Sequence, residues 1–170
     1  MKKILLLSIM GMFSIYSLIA QNDSICGILP QKNGIVTFDN VIKIDSVDAK
    51  NLYKNTKLWI AQNFVSSKAV IESDVENSMI SLSANIVDDA VSNYSFKMSI
   101  QFKDNRFKYN ITDIVLHMRF SSGSITMDKH IEEFPAMTEC KKETLIEIRN
   151  KFENLIKSLA SSMNKKADNW

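Results

Sequence analysis

Tyr94-Ser95-Phe96-Lys97-Met98-Ser99-Ile100-Gln101-Phe102-Lys103 alternates apolar and polar side chains without a fault, and Asp104-Asn105 separates it from Arg106-Phe107-Lys108-Tyr109-Asn110-Ile111. A period of two puts Tyr94, Phe96, Met98, Ile100 and Phe102 on one face of a strand and the polar set on the other. Asn tolerates the positive φ that a two-residue hairpin requires, so the two runs read as an antiparallel pair with one buried face. The second run extends to Arg119, but Phe107, Tyr109 and Ile111 are in phase whereas Ile114, Leu116 and Met118 are out of it. One inserted residue restores the phase, which predicts a β-bulge near Thr112-Asp113.

Further elements flank this hairpin. Residues 79 to 87 alternate in the same way, and Ala69 to Ser73 is a short β-prone run joined to them by a turn at Asp74 to Ser78. Upstream, Val36, Phe38, Ile42 and Ile44 share a parity, predicting a strand over residues 35 to 45. Ser46 or Asp48 can cap a helix from Ala49 to Phe64, on which Leu52, Thr56, Trp59, Ile60 and Phe64 fall on one side. Downstream, residues 120 to 137 read as a connection, with a short extended piece around Ile125, ended by Pro135. A long helix from Thr138 to about Met163 follows, with Leu145, Ile148, Phe152, Leu155, Leu159 and Met163 along one face. From Ile35 to Ser122 there is neither Gly nor Pro, so Asn, Asp and Ser must make the turns. The order is strand, helix, four antiparallel strands, helix. That is an α+β domain over residues 35 to 163 with two helices packed on one face of a curved antiparallel sheet.

The ends carry different signals. Lys2-Lys3, the apolar run Ile4 to Ile19 and Ala20 before Gln21-Asn22-Asp23 have the layout of a signal peptide over residues 1 to 20. The run is shorter than the ~20 apolar residues of a membrane span and contains Ser8, Gly11, Ser14 and Ser17. A lipidated Cys26 is disfavoured by Asp23-Ser24-Ile25 before it. The expectation is an exported protein, periplasmic or secreted. Residues 21 to 34 read as a flexible lead-in and residues 164 to 170 as a frayed tail. Loss of Lys2 and Lys3 with the leader reduces the cations from 21 to 19 against 19 acids. A neutral exported domain makes a poor nucleic-acid binder, so none is expected. Cys26 and Cys140 are the only cysteines. An oxidising compartment permits them to pair, and two separate thiols are the equal alternative.

Scarcity excludes several chemistries. The four glycines are too far apart for a phosphate-cradling loop, and two His with two scattered Cys do not make a zinc site. No metal or cofactor is expected.

Leu52-Tyr53, Trp59, Phe64, Lys68, Val70-Ile71, Met79-Ile80 and above all Lys103-Asp104-Asn105-Arg106-Phe107-Lys108-Tyr109 resemble a family of exported bacterial domains of unknown function. That family has a TBP-like (TATA-binding-protein-like) fold and occurs mainly in Gram-negative Bacteroides-type bacteria. The resemblance covers about residues 35 to 160, with Asn105 where the family more usually has Gly. It implies the same element order and an envelope location, and it brings no catalytic residues. Likeness to the TBP fold implies nothing about DNA, because function lives in sites.

Three candidate sites follow. Lys97, Gln101, Lys103, Arg106, Lys108 and Asn110 share the outward face of the hairpin, where they could hold an anionic glycan, lipid headgroup or envelope protein. Ordinary solvated sheet surface is the competing explanation. Trp59, Phe96, Met98, Phe102, Tyr109 and Phe152 would line any apolar ligand cavity between sheet and helices, or else fill the core. Cys140 with His117 or His130 could act as nucleophile and base only if the fold brought them together. Asp88-Asp89 and Glu132-Glu133 read as solvated loop charge. The reading is therefore a non-enzymatic binding domain, with a carrier of a small apolar ligand as the alternative.

Overall fold

The computed structural model describes residues 24–64, 70–87, 92–119 and 126–164. The expected leader, the Asp88-Asp89 pair, the extended piece around Ile125 and the tail beyond residue 164 lie outside the described residues.

The chain enters through β1 (Ser24–Ile25), β2 (Leu29–Lys32) and β3 (Ile35–Val36), a small antiparallel sheet. The expected flexible lead-in is thus folded over residues 24 to 34. Leu29 and Val36 are fully buried and belong to the main core, and Cys26 is disulfide-bonded to Cys140 across the fold. The strand expected over 35 to 45 is split at Thr37, whose N–H donates to the Pro30 carbonyl at 2.9 Å. Before Thr37 the chain pairs with β2; after it, β4 (Phe38–Lys43) joins the large sheet.

Helix α1 (Ala49–Asn63) begins where Asp48 accepts a hydrogen bond from the Asn51 N–H at 2.7 Å, which identifies the capping residue. Leu52, Thr56, Trp59 and Ile60 are buried beneath it, as the spacing requires. The strands β5 (Val70–Val75), β6 (Met79–Val87), β7 (Ser92–Lys103), β8 (Arg106–Arg119) and β9 (Thr126–His130) follow. The large sheet has the order β4-β8-β7-β6-β5, with β9 also pairing β8. β5 runs on to Val75, two residues past its expected end, and the turn tightens to Asn77 at φ 57°.

Phe102↔Phe107 and Lys103↔Arg106 close the hairpin over Asp104-Asn105, with Asn105 at φ 61°. The bulge falls where the phase slip requires it. Ser95 pairs with Val115 and Lys97 with Thr112, so Phe96 faces both Asp113 and Ile114, and Asp113 sits at φ 55°.

The C-terminal third differs from the expected pattern. Residues 126 to 130, expected within a connection, form β9 on the β8 edge beyond Phe38, the first residue of β4. The long helix is also broken: α2 (Pro135–Thr138) begins at Pro135, the residue expected only to end the connection. Cys140 at φ 51° then separates α2 from α3 (Lys142–Met163). Ile156, not Leu155, completes the buried face of α3; Leu155 is only partly buried.

Both long helices cover the same sheet face. Trp59 Nε1 donates to Ser158 Oγ at 3.0 Å and Asn55 Nδ2 to the Met163 carbonyl at 3.3 Å, which locks α1 to α3. Phe152 lies at the centre, stacked on Phe38 at 5.2 Å and edge-on to Phe96 at 5.5 Å.

At the sheet edge, Asp74 Oδ1 accepts from the Tyr53 hydroxyl at 2.7 Å and Oδ2 from Lys57 Nζ at 2.9 Å, which ties β5 to α1. The Tyr53 hydrogen bond, then that of Lys57, holds the Asp74 carboxyl below its ordinary range. A depressed folded pKa stabilises at pH above the ordinary carboxylate range, and the contribution is lost as pH falls through the folded value. Asp74→Asn is therefore expected to lower the urea midpoint at neutral pH. The gap to the parent should close in acid, which midpoints measured along a pH series would show.

Candidate functional site

With both helices on one face, the other face of the sheet is open. Its side chains are set by register. At the hairpin end Lys43, Arg106 and Lys103 form one cross-strand row, and Val41, Lys108, Gln101 and Met79 form the next. Lys43, Lys103, Arg106 and Lys108 are all exposed, and none takes part in an ion pair among the described residues. Two acids at this end are turned to the helix instead. Asp104 Oδ1 accepts from the Ala49 N–H at 2.9 Å, and Asp48 caps the same helix.

Further along the face the character changes. Lys97, grouped with the cations from sequence, is paired with Asp113 at 3.0 Å, and that carboxylate, followed by Glu72, raises its pKa. Asn110 is half-buried between Asp39 and Ser99. The bulge thus divides the expected six-residue patch, leaving Gln101, Lys103, Arg106 and Lys108 together with Lys43 and separating Lys97 from them. Lys43 was not identified because it lies on a different strand, and only the β4–β8 register brings it alongside Arg106.

Past the bulge, Ser95 Oγ lies 2.7 Å from His117 Nε2, and His117 Nδ1 lies 2.8 Å from Asp128 Oδ1. His130 Nδ1 is 3.6 Å from the Asp113 carboxylate. Neither imidazole serves Cys140, whose sulfur is bonded to Cys26 at 2.01 Å, so the cysteine nucleophile considered from sequence is overturned. Among the described residues no group of three or more His, Cys, Asp or Glu side chains could hold a metal.

The six side chains that could have lined an apolar cavity are buried and belong to one continuous core. Burial, reinforced by the Asp39 and Glu153 carboxylates, pushes the Tyr109 phenol up. A surface cleft of about 430 Å³ near it, between the small sheet and α3, is lined by Lys32, Asp39, Arg149 and Glu153. Their charges are matched within it, Lys32 to Asp39 at 2.5 Å and Arg149 to Glu153 at 2.6 Å. A second, of about 600 Å³, contains Glu132 and Glu133. There Glu132 Oε1 accepts from the Val36 N–H at 2.5 Å, a structural duty the loop reading did not foresee.

Residues 38–117, from the first strand of the large sheet to His117, match the family described as a domain of unknown function (DUF4468) with TBP-like fold. Over these residues the chain is similar to DUF4468 domains. A crystal structure of a TBP-like protein from Parabacteroides distasonis is similar at TM-score 0.67 and 17% identity, covering 82% of this chain and 99% of that one. A DUF4468 family protein from Bacteroides ovatus is similar at TM-score 0.63 and 12% identity, covering 85% and 95%. No curated protein matches the chain. The shared fold is the α+β architecture seen here. In this chain the matched region supplies α1 and every strand of the large sheet except β9.

Proposed function

We propose that this domain is an exported, non-enzymatic binding module that holds an anionic partner at the hairpin end of its open sheet face. The carrying observation is the adjacency of Lys43, Lys103, Arg106 and Lys108, all exposed and without ion-pair partners among the described residues. Four unneutralised cations on rigid strands create a local positive field on a chain that is neutral once Lys2 and Lys3 are removed. Exposed Val41, with Met79 further along the same row, gives the patch apolar contact area beside the charge. The leader layout and the Cys26–Cys140 disulfide support a periplasmic or secreted location, where anionic glycans and lipid headgroups are at hand.

Co-sedimentation with phosphatidylglycerol vesicles and gel retardation by dextran sulfate test the reading. Binding is expected to weaken steeply with added salt. Each cation near an anionic surface is worth about 1 kcal/mol. Changing Lys43, Lys103, Arg106 and Lys108 together to Gln should therefore reduce binding at least tenfold, with Lys97→Gln as a near-neutral control. Binding that survives the fourfold change would overturn the proposal.

A further inference from the structure

The bulge at Asp113 turns His117 onto the open face, and β9 brings Asp128 beside it in register. Ser95, His117 and Asp128 then lie on three neighbouring strands in one hydrogen-bonded line. Chemistry fixes the direction of that line for a neutral imidazole. An ionised carboxylate only accepts, so Nδ1 carries the proton and donates to Asp128. Nε2 is left as an acceptor, and the Ser95 hydroxyl donates to it. This is the relationship of nucleophile, base and orienting carboxylate that defines a serine triad by geometry and not by sequence order. Ser95 is half-buried, while the side chains of His117 and Asp128 are 31% and 63% exposed, so the line is open to a reagent from solvent.

We propose that Ser95 is an acyl-accepting serine, with His117 as its base and Asp128 as the positioning residue, and that its donors are activated acyl esters. Ser95 Oγ forms a bond to the acyl carbon while its proton passes to His117 Nε2. The bond from that carbon to the ester oxygen breaks, the oxygen leaves with the electron pair, and the imidazolium returns the proton to it. The Ser95 backbone is committed to the ladder between β6 and β8, so its own N–H is not available as an oxyanion donor. Asn85, directly across from Ser95 on β6, is the carboxamide placed by register to assist. Without that backbone donor the reaction is confined to good leaving groups, and the acyl group stays on the serine. The proposal therefore concerns one covalent modification per chain, and it stands or falls separately from the cationic end of the face.

p-Nitrophenyl acetate with the purified protein is the test, read as nitrophenolate release and by peptide mass mapping. Expected are one equivalent of nitrophenolate per chain and one acetyl group, on Ser95. Ser95→Ala should abolish the acetylation, and His117→Gln should slow it about a hundredfold, the ordinary contribution of a positioned base. Asp128→Asn should slow it to a lesser degree, with far-UV circular dichroism unchanged in each variant. Acetyl groups found only on lysines, no modification, or a rate unaltered by His117→Gln in a folded protein would each overturn the assignment.

Discussion

Phe152→Ala is expected to destabilise the domain by about 3–5 kcal/mol, the range for removing a buried aromatic ring from a packed core. Phe152 is fully buried on α3 and reaches three strand-borne rings: Phe38 by stacking at 5.2 Å, Phe96 at 5.5 Å and Tyr94 at 6.3 Å edge-on. Aromatic pairs of this kind add about 0.5–1.5 kcal/mol each beyond their buried area, so the loss should lie in the upper part of the range. Against a total stability of about 5–15 kcal/mol, thermal unfolding should move down by about 10 °C or more. Phe152→Leu keeps most of the volume and should cost clearly less. Equal midpoints for parent and Phe152→Ala would mean that α3 is not held to the sheet through this ring.

Phe152 was legible in the sequence because α3 repeats its apolar residues every three or four positions, and so were the hairpin and its bulge, because each leaves a mark on a period. The features that escaped leave none. β9 is Thr-Met-Asp-Lys-His, a strand without apolar alternation, held by pairing to β8 rather than by a buried face. The break at Thr37 falls inside an unbroken parity, since the chain changes partner sheets there without changing the face it buries. On α3, Leu155 and Ile156 differ by one position, and Ile156 is the one that lies beside Phe38, Tyr109 and the small sheet.

The open face shows the same division. Lys103, Arg106 and Lys108 could be grouped from one hairpin, whose register its turn fixes. Lys43 required the β4–β8 pairing, and the Ser95–His117–Asp128 line required three strands and a bulge at once. Residues 106 to 112 place even-numbered side chains outward, and beyond Asp113 the odd-numbered ones take over. Had the bulge been absent, His117 would point at the helices and Lys97 would have no Asp113 beside it. The bulge therefore does more than restore the core phase. It separates the cationic end of the face from a region where charges are paired and a serine is hydrogen-bonded to an imidazole.

Removing the disulfide, by Cys26→Ser with Cys140→Ser or by a reductant, is expected to cost about 5 kcal/mol, the chain-entropy value for a loop of a hundred or so residues. The bridge joins positions 114 apart, so its loop holds the strands and α1, with α3 outside it, and restricts the unfolded chain far more than a local link would. It also determines how the first strands unfold. Leu29 and Val36 are fully buried, and Glu132 receives the Val36 N–H, so residues 24 to 36 are tied to the core by packing as well as by sulfur. The small sheet should therefore remain docked in the double variant under native conditions, and the loss should appear as a lower midpoint of a single cooperative transition. Guanidinium unfolding followed by Trp59 fluorescence in a Trp170→Phe background, together with hydrogen exchange at the Val36 amide, distinguishes the outcomes. A Val36 amide that exchanges freely while the Trp59 midpoint is unchanged would mean that the bridge holds only the small sheet in place. A reductant should lower the parent's midpoint to that of the double variant and leave the variant itself unaffected.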